Sequence, residues 1–194
     1  MIGLDFGIKK IKRSHMLKSN VKKKTNLNSK TNNFYSSLSK KEEYILEKTC
    51  LEKINNKFKC LCKTKSHHFP KLVSSNNGVL ILSNCGVSIN KYKTLIKNKE
   101  IDPINIKNLD KQLDCIMYNL KRNKIKHLDM CMNGKNLCIS TSGIISVIDF
   151  NIACINNEYT TEKINIRLHS YGENDNIYEA NMKKKIKKII HTCM

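Results

Sequence analysis

The sequence predicts an α+β fold, and two kinds of pattern indicate it. Residues 39–54 and 108–121 carry apolar side chains at the spacing of an amphipathic helix. Residues 69–82 and 137–148 contain short apolar runs separated by Asn, Ser and Gly, which is typical of β-hairpins. A chain of 194 residues can hold one domain with a substantial core, or two small lobes that share a cleft. The order helix, hairpin, helix, hairpin favours two unequal lobes.

The first helix is predicted to begin at Ser39, which is a favourable N-cap residue. Glu42 follows three residues later, as in a capping box. Glu42 also starts a stripe with Leu46, Cys50 and Ile54 at i+4 spacing, which predicts that it lies on the inward face of the helix. The pattern therefore leaves two roles open for Glu42, a capping acid or an inward-facing functional carboxylate.

The next stretch predicts a hairpin and then a second helix. Phe69–Val73 and Val79–Leu82 are predicted strands, with their turn in residues 74–78. Residues 87–107 are polar and contain one proline, so we expect a connector there. The second helix is predicted from about Asn108 to Lys121, where apolar residues repeat at helical spacing.

The central stretch of the chain predicts a second hairpin, flanked by acids. Leu137–Ile139 and Ile144–Ile148 are short apolar runs around a Ser- and Gly-containing turn. This hairpin would hold Asp129, which precedes it, and Asp149, which follows it, at the same end of a small sheet. Two carboxylates beside Asn136 suit Mg²⁺, because this ion takes hard oxygen ligands.

These residues carry a resemblance to a known family. His127-x-Asp129, then Asn136 opening an apolar strand, then Ile148-Asp149-Phe150, resemble the catalytic loop and metal-binding motif of the protein kinase-like superfamily. The resemblance implies that Asp129 accepts the proton of the substrate hydroxyl. It also implies that Asn136 and Asp149 hold the Mg²⁺ ions that bridge the phosphates of ATP. The implied fold is a two-lobed, kinase-like one with a reduced N-terminal lobe and a truncated C-terminal lobe.

The sequence departs from the family pattern at three places. The spacing from the first Asp to Asn136 is two residues longer than usual, which leaves Asn133 as an alternative ligand. Asn151 stands where the family has glycine, and we expect the turn to be kept because Asn tolerates positive φ. Cys131 occupies the position where protein-directed kinases carry a lysine, and Lys135 is a candidate replacement.

The resemblance also implies a nucleotide site in the first half of the chain. Ile2–Gly7 is similar to an incomplete glycine-rich loop, with a simple turn as the alternative interpretation. Lys24 would contact phosphate and pair with the helix Glu, and Ser83–Gly86 resembles the hinge that contacts adenine. The implied nucleotide-binding residues are Lys24, Glu42, Leu82, Ser83 and Cys85.

The chain divides into three predicted segments. Residues 1–38 are basic and rich in Asn and Ser, so we expect weak order or a partial glycine loop there. Residues 39–86 would complete the N-terminal lobe, and residues 87–194 would form a helical C-terminal lobe with the catalytic loop. Within the latter, a short strand is predicted at 164–168 and a final helix from Tyr178 to Cys193. Tyr159–Thr161 lies where an activation segment would be.

Nine cysteines raise the question of disulfides or a metal site. Several of them fall in apolar stretches where a thiol packs as a small hydrophobe, which favours reduced, intracellular cysteines. Cys60-x-Cys62 followed by His67-His68 resembles half of a zinc site. Its spacing matches no standard zinc finger, so a structural metal is the less favoured interpretation.

The charge of the chain is strongly basic, with 36 Lys and Arg against 16 Asp and Glu and a net charge of +20. Such an excess suggests nucleic acid. Only Arg13, Arg122 and Arg167 are arginines, however, and lysine is spread along the whole chain, so we favour a solvated basic surface. No apolar run reaches the length of a membrane span, which predicts a soluble protein without a membrane partner.

The function that we predict is ATP- and Mg²⁺-dependent phosphotransfer to a hydroxyl. A protein Ser or Thr is the first candidate substrate, and a small molecule or the chain itself remain alternatives. A second hypothesis is a pseudokinase that acts as a binding or regulatory module, which the irregular glycine loop and Asn151 favour. The third is a basic nucleic-acid-binding protein, which rests on charge alone.

Overall fold

The computed structural model describes residues 10–11, 39–62, 67–131, 134–156, 158 and 174–192. The described helices are α1 (Lys40–Lys57), α2 (Ile89–Lys97), α3 (Leu109–Arg122) and α4 (Asp175–His191). The described strands are β1 (Lys10–Ile11), β2 (Leu72–Asn76), β3 (Val79–Leu82), β4 (Val87–Ser88), β5 (Ile125–His127), β6 (Leu137–Ile139), β7 (Ile145–Val147) and β8 (Ala153–Ile155). This combination of helices and short strands confirms the predicted α+β class. The predicted strand at 164–168 and the stretch Tyr159–Thr161 lie outside the described residues.

The strands form three small sheets, and every pairing in them is antiparallel. The first sheet has the order β1-β3-β2, the second β4-β6-β7, and the third pairs β5 with β8. The third sheet pairs the strand that precedes Asp129 with the strand that follows Asp149. The pairing of β6 with β7 confirms the predicted central hairpin.

The first hairpin differs from the prediction in its bounds. Strand β2 runs on to Asn76, and the turn consists of Asn77 and Gly78 alone, with φ of 45° and 75°. Two successive residues with positive φ form the tight turn that matches the twist of paired strands, and Asn-Gly is the dipeptide best suited to it. Phe69 was predicted to be in the first strand but instead packs in the core, 1% exposed.

The predicted connector at 87–107 is wrong over its first half. Strand β4 and helix α2 occupy it, and the Ser88 hydroxyl caps α2 by accepting a hydrogen bond from the Lys91 N–H at 3.3 Å. The irregular remainder is held from inside, because the hydroxyl of buried Tyr92 accepts a hydrogen bond from the Ile104 N–H at 2.7 Å. This bond adds to the packing of Ile101, Ile104 and Ile106 against the core in ordering the loop.

The four described helices and the strands β2 to β8 contribute side chains to one hydrophobic cluster. Helix α3 contributes Leu113, Ile116 and Leu120, all nearly or fully buried. Helix α4 confirms the predicted final helix and ends at His191, while Cys193 lies outside the described residues. Burial of each such apolar side chain contributes about 1.5–3 kcal/mol, so this cluster supplies much of the stability of the fold. No described helix is long and apolar enough to cross a membrane.

Helix α3 also fixes the central hairpin through one buried amide. The Gln112 side chain donates hydrogen bonds to the carbonyls of Lys107 and Gly143, at 2.9 and 3.0 Å. Its amide oxygen accepts a hydrogen bond from the Ile145 N–H at 2.8 Å. Because these bonds are buried, their loss would leave backbone groups unsatisfied, at a cost of about 1–3 kcal/mol each. The turn of the hairpin therefore has one position relative to α3.

We expect Gly86→Ala to destabilise the fold more than Gly134→Ala. Both glycines have positive φ, 96° and 68°, so both substitutions carry a backbone cost of about 1–3 kcal/mol. At Gly86 the new Cβ would lie 2.1 Å from the Ile139 carbonyl oxygen, whereas at Gly134 it would meet side-chain carbons at 3.2 Å. Side chains can move aside, but a carbonyl held in a β-ladder cannot. Urea titration should give the larger loss of unfolding free energy for Gly86→Ala, and equal losses would contradict this packing.

Candidate active site

The central hairpin delivers two of the predicted site residues to one end. Leu137 pairs with Val147, and just beyond this pair the Ile148 N–H donates a hydrogen bond to the Asn136 carbonyl at 3.0 Å. Asn136 and Asp149 therefore leave the hairpin together, at the end opposite the turn. The register places Asp149 one residue beyond the pair of Asn136 and Ile148, so the two predicted site residues lie at the same end of the hairpin.

Asp129 is brought to the same end by a different strand pairing. Strand β5 ends two residues before Asp129 and pairs with β8, and the Leu128 N–H donates to the Ile152 carbonyl at 3.1 Å. The Asn136 side-chain nitrogen then donates to the Asp129 carbonyl at 2.9 Å and to its carboxylate at 3.2 Å. Both partners are acceptors, so the amide nitrogen of Asn136 faces Asp129 and its amide oxygen is directed elsewhere. Asp129 and Asn136 thus form one hydrogen-bonded unit.

His127 lies beneath these residues, fully buried, and joins the two acidic segments. Its Nδ1 accepts a hydrogen bond from the Asp129 N–H at 3.2 Å, and its Nε2 lies 3.0 Å from the Ile148 carbonyl oxygen. A carbonyl can only accept and a backbone N–H can only donate, so the ring must be neutral with its proton on Nε2. The Tyr178 hydroxyl donates to the His127 carbonyl at 3.0 Å, which ties the same residue to α4.

The electrostatics of His127 agree with this neutral state. Burial lowers the pKa of the imidazole, while its bond to Ile148 and the nearby carboxylates of Asp149 and Asp129 act in the opposite direction. Both acids are therefore close enough for their charge to act on the same ring. The hydrogen bonds of His127 therefore give it a structural role, which is to join the segments of Asp129 and Asp149.

The backbone at Asp149 is in a sparsely populated conformation. Its φ is 65°, and residues other than glycine adopt such values at some cost, typically where the surroundings impose them. Phe150 is fully buried and packs against His127, with ring centroids 4.7 Å apart. Asn151 was expected to take the positive φ in place of glycine, but Asp149 has it instead. The backbone strain therefore lies at the residue that carries the carboxylate.

The predicted hinge residues lie at the other end of the hairpin. Leu82 is buried, and Ser83 and Cys85 line an open cavity of about 500 Å³ whose opposite wall is the hairpin turn, Ser140–Ile144. The Ser83 N–H already donates to the Lys71 carbonyl at 2.9 Å, whereas the predicted backbone contact of Ser83 with a base can also use its carbonyl and stays a prediction. The backbone contact of Cys85 stays a prediction.

This cavity does not include Asp129, Asn136 or Asp149. A three-residue strand separates the two ends of the hairpin, and at about 3.4 Å per residue this corresponds to roughly 10 Å. The structure therefore brings the predicted catalytic and metal residues together, and it places the predicted hinge one strand length away from them.

Glu42 does not face inward, so that part of the prediction is wrong. Its carboxylate accepts a hydrogen bond from the Ser39 N–H at 2.7 Å, and its N–H donates to the Ser39 hydroxyl at 3.3 Å, which completes the capping box. These bonds lower the pKa of the exposed Glu42 carboxyl. Lys24, the Ile2–Gly7 loop and Asn133 lie outside the described residues, so their roles stay predictions.

The acid that α1 does bury is Glu47, which sequence reasoning missed. It is 7% exposed and shares the inner face of the helix with Cys50, Leu51 and Ile54. The i+4 stripe counted from Glu42 passes it by, but the spacing of three residues from Glu47 to Cys50 and four to Leu51 was a usable signal. An acid buried at mid-helix is the stronger candidate for a functional or structural partner.

Comparison of the chain with protein-family models and with curated proteins gives no match in either case.

We expect the stability of the protein to fall as the pH drops below 6.5, in part because of His127. The folded pKa lies below the ordinary value of 6.5, so the unfolded state binds the proton more readily and folding is weakened as the pH falls through that value. His127→Gln places an amide N–H where Nε2–H donates and removes the titrating group. Urea titrations between pH 7.5 and 5 should show that the unfolding free energy of this variant depends less on pH than that of the parent.

Burial also lowers the pKa of His67 and His68, so the pH dependence should shrink in His127→Gln without vanishing. An unchanged pH dependence would mean that His127 is charged in the folded protein, which contradicts its hydrogen bonds.

Proposed function

We propose that this chain is a kinase-like phosphotransferase that uses ATP and Mg²⁺ to phosphorylate a hydroxyl group, on the two-lobed fold that the motifs imply. A protein Ser or Thr is the substrate class that we favour. The observation that carries the proposal is the convergence of Asp129, Asn136 and Asp149 at one hairpin end, around a shared neutral histidine. Asp129 comes from a segment outside this hairpin, so hairpin geometry alone does not explain its meeting with Asn136 and Asp149.

The oxygen atoms at this end suit Mg²⁺. Asp149 supplies a carboxylate, and Asn136 has its amide nitrogen engaged with Asp129, which leaves the amide oxygen for a cation. The Asn151 side-chain oxygen, two residues from Asp149, is buried with no hydrogen-bond partner in the part of the chain that the structure describes. Carboxylate and amide oxygens are the hard ligands that Mg²⁺ prefers. When bound, the metal would neutralise charge on the phosphates.

The contacts of Asp129 support the role of base and orienting group. Its backbone is fixed on both sides, by the His127 ring at its N–H and by Asn136 at its carbonyl. The second hydrogen bond of Asn136 holds one carboxylate oxygen, Oδ2, in a defined direction. A carboxylate whose position is set by its neighbours can orient a hydroxyl without further loss of conformational freedom, and positioning is the main source of rate in this reaction.

The nucleotide base would lie towards the hinge. The separation of roughly 10 Å between the hairpin ends suits a ligand that spans the length of a strand. The cavity beside Cys85 is lined by polar and small side chains, including Ser83 and Ser146. Phosphates directed along the hairpin from that side would end at Asn136 and Asp149.

Asp149→Ala should abolish the stabilisation of the protein by Mg-ATP. Ligand at about 100 times its dissociation constant should add roughly 2.7 kcal/mol to the unfolding free energy of the parent. The variant should show little of this gain in a thermal shift titration, since metal and phosphates share the Asp149 site.

Asp102→Ala is the matched control, because Asp102 is an exposed acid far along the chain from the motifs. Asn136→Ala should also weaken the Mg²⁺-dependent gain, and Asn133→Ala should have little effect. An equal thermal shift in Asp149→Ala and Asp102→Ala would rule out Asp149 as the ligand.

Asp129→Asn should bind Mg-ATP nearly as well as the parent and lose most of its turnover. The Asn side chain keeps an oxygen for the hydrogen bond from Asn136, so the loop should keep its shape. It lacks the charge that accepts the hydroxyl proton, and general-base assistance is typically worth about 10²–10⁴-fold. Transfer of labelled phosphate to protein substrates, small alcohols and the chain itself is the measurement.

Asp102→Asn should keep full turnover in the same assay. Undiminished transfer by Asp129→Asn would reject Asp129 as the base. Binding of Mg-ATP without any transfer by the parent would instead favour the pseudokinase, a module that binds nucleotide and a partner.

A further inference from the structure

Three thiols from two separate segments meet on the side of α3 that faces the end of α1. Cys60 and Cys62 follow the C-terminus of α1, and Cys115 projects from α3. Their sulfur atoms all lie within 4.8 Å of one another, and those of Cys60 and Cys62 are 3.6 Å apart. Cys62 and Cys115 are buried, and Cys60 is half-buried. Only the fold brings Cys115 into this group, since more than fifty residues separate it from the other two.

A histidine lies beside the cluster, in contact with Cys62. His68 is fully buried, and its Nε2 lies 3.0 Å from the Cys62 sulfur. Its Nδ1 lies 2.7 Å from the Ile145 carbonyl oxygen, which can only accept, so the ring proton is on Nδ1. Nε2 therefore presents a lone pair to Cys62. A ring that donates its far N–H to a backbone carbonyl is the usual arrangement of a metal-binding histidine, because the carbonyl fixes tautomer and orientation.

We infer that Cys60, Cys62, Cys115 and His68 bind a structural zinc ion. Zinc–sulfur bonds of about 2.3 Å at tetrahedral angles place two sulfurs about 3.8 Å apart, close to the separation of Cys60 and Cys62. Zinc–nitrogen bonds of about 2.0–2.1 Å place nitrogen and sulfur about 3.5 Å apart, so Cys62 and His68 would separate by about half an ångström. Three cysteines and one histidine form a standard closed zinc site, with no position left for a substrate.

One backbone contact at the cluster favours a thiolate, whereas burial raises the pKa of the Cys115 thiol to about 11, so a bound cation would be needed to hold the charge. The Leu61 N–H donates to the Cys115 sulfur at 3.3 Å, a contact that stabilises negative charge on sulfur. Asn119, fully buried on α3, bonds Lys59 through both ends of its amide, at 2.9 Å each. This pair holds the segment after α1 against α3 without any metal. The ion would displace one proton from each thiol on binding and would add its bonds to an existing contact.

The site would tie three parts of the fold together. Cys60 and Cys62 follow the end of α1, and Cys115 belongs to α3. His68 is bonded to β7 in two ways. Its ring contacts the Ile145 carbonyl, and its own carbonyl accepts from the Val147 N–H at 2.9 Å. Strand β7 leads to Asp149 at its far end. A zinc ion here would therefore fix α1 and α3 relative to the hairpin that carries the oxygen cluster.

Metal content of the full chain tests the inference. Protein purified from zinc-supplemented cells under reducing conditions should contain about one zinc per chain by mass spectrometry of the metal. Cys60→Ser, Cys62→Ser and Cys115→Ser should each lose most of it. Cys50→Ala is the matched control, because Cys50 is a buried thiol of α1 outside the cluster, and it should retain the metal. A strong chelator should lower the melting temperature of the parent and of Cys50→Ala, and not that of the three serine variants.

The role of His68 has its own variant. In His68→Asn the amide nitrogen can replace Nδ1 as donor to Ile145, whereas nothing replaces Nε2. Zinc affinity should fall by more than about 100-fold, the upper range for residues that only support a ligand. Unchanged affinity would overturn the assignment of His68.

Cobalt substitution of the parent keeps the test independent of whether the variants fold. Cobalt bound by three thiolates and an imidazole should give the intense visible bands of a tetrahedral site and a thiolate charge-transfer band. Absence of bound zinc together with rapid alkylation of Cys60 and Cys62 would overturn the inference. So would a disulfide between these two cysteines in protein purified under reducing conditions.

Discussion

The neutral ring of His127 is the contact on which the centre of this structure depends. One nitrogen accepts from the Asp129 N–H and the other donates to the Ile148 carbonyl, so a single buried side chain sets the spacing between two segments twenty residues apart. The bond that Nδ1 accepts requires an uncharged ring, and the burial that lowers the pKa of His127 favours that state. The pairing of β5 with β8 and the Tyr178 hydroxyl support the same residue from outside.

Around this contact, three buried amide side chains connect separate segments of the chain. Gln112 holds the turn of the central hairpin against α3, and Asn119 holds the segment after α1 against α3. Asn136 holds Asp129 against the hairpin. All three side chains are at least nine-tenths buried. Each satisfies backbone groups that would otherwise be stranded, which makes α3 and the central hairpin one rigid unit. Rigid placement of Asp129 and Asp149 is what the proposed chemistry requires.

Local patterns were sufficient where neighbouring residues determine the structure. The capping residues and the apolar stripe predicted α1, helical spacing predicted α3 and the final helix, and a Gly-marked turn between apolar runs predicted the central hairpin. Because residues that flank a hairpin lie at the same end of it, the joint position of Asn136 and Asp149 could also be read from the sequence. The motifs of the sequence supplied the hypothesis of phosphotransfer.

Other features depend on partners distant in sequence, and only the tertiary structure decided them. Glu42 and Glu47 both lie on α1, but packing against the sheets determines which acid is buried, and hydrogen bonds to Ser39 hold the other in solvent. The left-handed backbone falls on Asp149 and not on Asn151 because paired strands on both sides constrain that bend. Cys115 joins Cys60 and Cys62 only because α3 packs against the end of α1. Contacts across such distances leave no periodic signal, since their geometry is set by the whole core and not by neighbouring residues.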